Sequence, residues 1–142
     1  MRIVAVDRGD VRTGLAVCDA TETVASPVCV LTEYHPERLA GRVAEEIKKL
    51  SAELVVVGLP RNMDGSEGES AAKCRTLAEE LATLTGLPVT LSDERLTTVE
   101  AHNILSASDV RGKKRKQTVD AVAAVLILEN FLASRKRKDG SL

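Results

Sequence analysis

Three acidic positions in this sequence stand where apolar runs stop. Asp7 closes "RIVAVD", Asp93 and Glu94 close "PVTLSDE", and Asp120 lies near the start of the long apolar segment "QTVDAVAAVLILENFLA". In an open sheet crossed by helices, ligands bind in the crevice beyond the strand ends. If the first and fifth strands lie near one another, Asp7, Glu94 and Asp120 converge there. Clustered carboxylates repel each other, so such a group either holds a proton or binds a cation. Oxygen donors without His or Cys suit a hard ion, Mg²⁺ or Mn²⁺, one or two in number. Two such ions about 3.5–4 Å apart would clamp the attacking and leaving oxygens of a phosphodiester. Each acid also has a plainer role open to it. Asp7 precedes a turn, Asp120 could complement a helix dipole, and Glu94 could pair with Arg95. Asp93 joins the cluster or turns from it, since neighbours in a strand face opposite ways.

The bases extend this chemistry to a polyanion. Net charge is −1, but residues 111 to 116 read "RGKKRK" and 135 to 138 read "RKRK". Lys113, Lys114, Arg115 and Lys116 precede Asp120 directly, either as a solvated loop or as a flexible arm that neutralises backbone phosphates without reading bases. Arg12 follows the first turn, and Arg61 with Asn62 sits in "GLPRNMDGSEG"; these three and Arg95 are the remaining candidate contacts. That glycine-rich stretch lacks the Lys and the spacing of a P-loop, so it reads as a wall of the cleft, with Asp64 a turn residue. Aromatics are 1% of the chain, Tyr34 and Phe131, which weakens any reading based on base stacking. His35 and His102 have no companion ligand, and Met63 reads as packing.

The elements that must position these groups are legible from periodicity. "RIVAVD" and "TGLAVCD" form a hairpin, and "VASPVCVL" is a third strand with Pro27 at an edge or a bulge. Leu39, Val43, Ile47 and Leu50 mark one helix face behind Pro36. "ELVVVG" is apolar throughout, as a strand covered on both faces must be. Ser66 and Glu69 form a capping box for a helix with Cys74, Leu77, Leu81 and Leu84 inside and Gly86 at its stop. "PVTLSDE" is the fifth strand, Thr97 and Glu100 cap a further helix, and the segment from Gln117 is a helix buried on most sides. The order implies an α/β fold with a mixed sheet and helices on its faces, one domain over residues 1–133, and a basic, flexible tail over 134–142. Cys18, Cys29 and Cys74 are odd in number and unpaired in pattern, as in a reducing compartment. No secretory signal or membrane span is read, so the expected location is the cytoplasm.

"AVDRGDVRTGLAVCD", "VVGLPRNMDGSEG", "LPVTLSDERLTTVEA" and "KKRKQTVDAVAAVLIL" together resemble, in order and spacing, the YqgF family, also called RuvX, of pre-16S rRNA nucleases and Holliday junction resolvases. The resemblance covers nearly the whole chain. It implies an RNase H-like fold, a five-stranded sheet in the order 3-2-1-4-5 with the second strand antiparallel. It also implies a metal-dependent nuclease site of Asp7, Glu94 and Asp120, serving as catalytic and metal-ligating residues. The first loop departs from the family pattern, with Val11 and Thr13 around Arg12 where a Lys and an Ile are usual. The expected activity is phosphodiester hydrolysis at the 5′ end of precursor 16S rRNA by a monomer or homodimer. Cleavage of branched DNA, or nucleic-acid binding without catalysis, are the alternatives; an actin-like or sugar-kinase ATPase would need a second such domain.

Overall fold

A computed structural model describes residues 1–93 and 112–138, with side chains of the last helix described over 122–135. Its strands are β1 (Ile3–Asp7), β2 (Arg12–Cys18), β3 (Ala25–Thr32), β4 (Leu54–Leu59) and β5 (Val89–Asp93). Its helices are α1 (Pro36–Lys49), α2 (Glu69–Thr85) and α3 (Gly112–Lys138). The sheet order is β3-β2-β1-β4-β5, with β1, β2 and β3 antiparallel in turn and β4 parallel to both β1 and β5. The meander, the two parallel crossovers and the order expected from the sequence are all present.

Alternation along the strands divides the core. Val4, Val6, Leu15, Val55, Val57 and Leu59 face α1 and α2, while Ile3, Ala5, Ala16, Cys18 and Val56 face α3. β4 is therefore covered on both sides, which is why "ELVVVG" carries no polar face. On α1, Leu39, Ala40, Val43, Ala44 and Ile47 are buried, with Pro36 in its first turn. Pro27 occupies both environments open to it. β3 is an edge strand, and its register with β2 slips between Leu15 and Ala16, so that Leu15 pairs with Cys29 and Ala16 with Pro27. Cys18 and Cys74 are buried and Cys29 is half-buried, and none of the three forms a disulfide.

Three expectations need correction. Ser66 does not cap α2: the helix starts at Glu69 behind Gly68, with no side-chain cap. Both the amide and the hydroxyl of Ser66 donate instead to Asp64 Oδ1, at 2.8 and 2.6 Å. An Asx-type turn has won the hydroxyl that a capping box would need. Leu84 is 45% exposed, while Ala71 and Ala78 complete the buried stripe with Cys74, Leu77 and Leu81. Gly86 ends the helix in the left-handed conformation at φ 71°, as read.

The third correction concerns α3. It begins at Gly112, not near Gln117, and continues to Lys138. Residues 112 to 116, read as a loop or flexible arm, are helical; Lys, Arg and Gln are good helix formers and nothing after Gly112 interrupts them. Ser134 to Lys138, expected in a tail, also belong to the helix. Arg135 is held there by Glu22, with Nε 2.8 Å from Oε1 and Nη2 3.2 Å from Oε2. The helix predicted around Thr97 and Glu100 lies outside the described residues.

Candidate nuclease site

Strand parity places Asp7. β1 turns Ile3 and Ala5 toward α3, so Asp7 shares their face; it is half-buried at the strand's end. Its cross-strand partner is Gly14. The residue directly opposite Asp7 on β2 therefore carries no side chain.

Arg12 sits on that same face, in line with Gly14, Ala16 and Cys18. Its Nε is buried and finds no hydrogen-bond partner among the described residues. Leaving a buried donor unmet costs about 1–3 kcal/mol, so this nitrogen is open to an acceptor from outside, a water or a phosphate oxygen. The loop between Asp7 and Arg12 is tight. A Cβ on Gly9 would collide with the Arg12 carbonyl oxygen, and the Gly9 amide lies 3.4 Å from the Thr13 hydroxyl. The glycine of "DRGDVR" thus lets the chain fold back so that Asp7 and Arg12 share one sheet end.

α3 reaches the same end. Its C-terminal half packs on the sheet through Ala124, Ile127, Leu128 and Leu132, and Arg135 meets Glu22 in the β2–β3 turn, at the end opposite Asp7. Going back along the helix leads toward Asp7. Asp120 lies one turn before Ala124, and residues 113 to 116 lie beyond it. Asp120 is the ninth residue of α3, not a first-turn residue as expected, and dipole effects fade within the first turn. The plain helix-end role for this acid is thereby removed. Of its side chain nothing is described.

β5 separates Asp93 from this group. Val89 and Leu91 pack into the α1/α2 core, and Asp93 shares their face. It lies 4.0 Å from Arg61 Nη1, whose Nε is 3.5 Å from Glu67; Glu67 in turn takes Arg75 in a two-point pair at 2.8 Å for both contacts. Hydrogen bonding from Arg75 holds the Glu67 carboxyl below its ordinary range. Arg61 is thus engaged by two acids on the α2 side. Asn62 is occupied as well, donating from Nδ2 to Ser66 Oγ at 2.9 Å. The loop follows β4, which runs parallel to β1, so it does border the sheet end that carries Asp7. Glu94 and Arg95 lie outside the described residues. The signal missed in the sequence was pairing between distant residues, such as Arg61 with Asp93, which no local pattern announces.

Comparison with known proteins gives the family and the fold. Residues 1–134 match the family model described as "RuvX: Holliday junction resolvase". A relative from Pelotomaculum thermopropionicum, described as "Putative pre-16S rRNA nuclease", is 41% identical over 96% of this chain and 90% of its own length. Among solved structures, Thermus thermophilus RuvC bound to a Holliday junction substrate covers 96% of both chains with a TM-score of 0.63 at 16% identity. The fowlpox virus Holliday junction resolvase covers 94% of this chain and 99% of its own, with a TM-score of 0.60 at 10% identity. At those identities the structural likeness shows the shared fold, an RNase H-like sheet with helices on both faces.

Proposed function

The chain belongs to the RuvX family, and on that footing we propose that it is a nuclease hydrolysing phosphodiester bonds in structured RNA, at the 5′ end of precursor 16S rRNA in the cytoplasm. The single observation that carries the reading is the pairing on one sheet face of Asp7 with Arg12, whose buried Nε awaits an acceptor. One group offers negative oxygen, the other a positive donor, and a phosphodiester bound to a cation needs both.

Asp7, Glu94 and Asp120 would hold the ion, and an oxygen-only donor set suits Mg²⁺ or Mn²⁺. When bound, such an ion supplies an activated water and offsets charge on the leaving oxygen. Asp7 would help hold the cation at the scissile group, Arg12 would bind the adjacent phosphate oxygen, and Lys113, Lys114, Arg115 and Lys116 would neutralise backbone phosphates. Their contribution is affinity without sequence choice.

Cleavage of matched precursor-rRNA and four-way-junction substrates by wild type and Asp7→Asn, with Mg²⁺ titrated, tests the proposal. RNA cleaved by wild type and spared by the variant is expected. Preferential cutting of the junction would transfer the same chemistry to branched DNA, and a symmetric junction would then require a dimer with two sites, visible by light scattering. Equal rates for the two proteins would end the assignment of Asp7.

A further inference from the structure

We propose that the cleft between α1 and α2 is a second ligand site, for a small organic monoanion made of a carboxylate on an apolar body. The cleft measures about 240 Å³ and lies on the face of the sheet turned away from Asp7. Leu39, Leu77, Pro36 and Ala72 give it apolar walls, and Arg8 lines it.

Arg8 is the reason to expect an anion. Its side chain is 8% exposed, yet its only polar partner among the described residues is Asp10, at 3.4 Å from Nη1, and that carboxylate is 74% exposed. A guanidinium carries five donors in a fixed fork. One long contact to a solvated acid leaves the rest of the fork turned to the solvent of the cleft, where an incoming acceptor can reach it. A carboxylate entering the cleft completes the fork with two parallel hydrogen bonds.

The surroundings restrict the ligand further. Lys73 is already drawn to Asp10 at 3.4 Å and to Glu69 at 3.5 Å, and Glu80 stands with Glu69 in the lining. A second negative charge on the ligand would meet these acids, so the site favours one charge. The volume lies below the roughly 300–1,000 Å³ typical of sites for drug-sized ligands, so a small body fills it better than a nucleotide does. The apolar walls reward a ring or branched chain over a bare ion.

The test is a titration of the full chain with sodium benzoate, followed by amide chemical shifts, with acetate and benzamide as controls for the head and the body. Benzoate is expected to shift the amides of Leu39, Ala72 and Leu77 at saturating occupancy, and each control to bind more weakly. Arg8→Met is expected to weaken benzoate by about tenfold or more, the equivalent of one charge-assisted bond. Ala72→Leu keeps the charge and fills the cleft from an exposed helical position, so it is expected to weaken benzoate even if Arg8→Met fails to fold. Benzamide binding as tightly as benzoate, shifts confined to other surfaces, or unchanged binding in Ala72→Leu would each overturn the proposal.

Discussion

Asp7 and Asp93 end β1 and β5 at the same end of the sheet, with β4 between them, and face opposite sides of it. Asp7 looks toward α3, whereas Asp93 looks toward α2 and Arg61. Two acids at matching strand ends, Asp7 half-buried and Asp93 exposed, thus differ in the chemistry open to them. Asp7→Asn is expected to lower the cleavage rate on the order of a thousandfold, about 4 kcal/mol of barrier, while substrate binding persists. Asp93→Asn breaks one partly exposed ion pair and is expected to change stability by at most about 1 kcal/mol, with most activity kept. Single-turnover rates and denaturant melts on both variants check the contrast; equal losses would put the two acids in one site.

The two arginines at this end of the sheet separate in the same way. Arg12 has a buried donor with no partner among the described residues, and Arg61 is engaged by Glu67 and Asp93. Arg12→Ala is expected to weaken substrate binding and to reduce the slope of log affinity against log salt by about one. Arg61→Ala is expected to leave that slope unchanged, since a cation already neutralised releases no counterion from the substrate. Binding isotherms at several salt concentrations decide between them, and a reduced slope in the Arg61 variant would return it to the substrate interface.

Gly9 connects the fold to the site. Because a Cβ there meets the Arg12 backbone and not a flexible side chain, the loop must move to accept one. Gly9→Ala is expected to cost about 1–3 kcal/mol by forced displacement. Activity should fall beyond what unfolding explains, because Asp7 and Arg12 flank the displaced turn. Urea melts paired with rates measured well below the midpoint test this; a variant as stable and active as wild type would contradict the tight turn.

The architecture was legible where one element decides its own state. The Leu39, Val43 and Ile47 stripe, the uniformly apolar β4, Pro27 at an edge and Gly86 at a helix end each follow from local geometry. Strand alternation then placed Asp7 once the order of strands was known. What escaped the sequence depended on competition or distance. Ser66 had two uses for its hydroxyl, and the Asp64 turn prevailed over the helix start. Arg61 looked available because its partners, Glu67 and Asp93, are recognisable only when β5 has been laid beside β4. The length of α3 was underestimated because "GKKRKQ" looks like a solvated charge run, although its residues are good helix formers, and because the Glu22 contact that holds Arg135 spans most of the chain.

The β2–β3 turn should contribute to the acid response of the fold, together with the lowered carboxyls of Asp10, Glu22, Glu33 and Glu67. Asp19 accepts from the Thr21 hydroxyl, and from the amides of Thr23 at 2.7 Å and Val24 at 2.9 Å. The Thr21 hydroxyl, followed by the Val24 and Thr23 amides, lowers the Asp19 carboxyl from its ordinary 3.8 to about 2. A carboxyl depressed on folding stabilises the native state fully above its unfolded value, because the unfolded chain takes up the proton first. As pH falls from about 4 to about 2 the native form protonates too and the contribution disappears. The wild-type melting temperature is therefore expected to fall across that interval more steeply than that of Asp19→Asn, which has no charge to lose there. The variant should be the less stable protein at pH 7 and approach wild type near pH 2. Thermal melts of both across that range test the sign, and parallel pH curves would show that the turn does not titrate with folding.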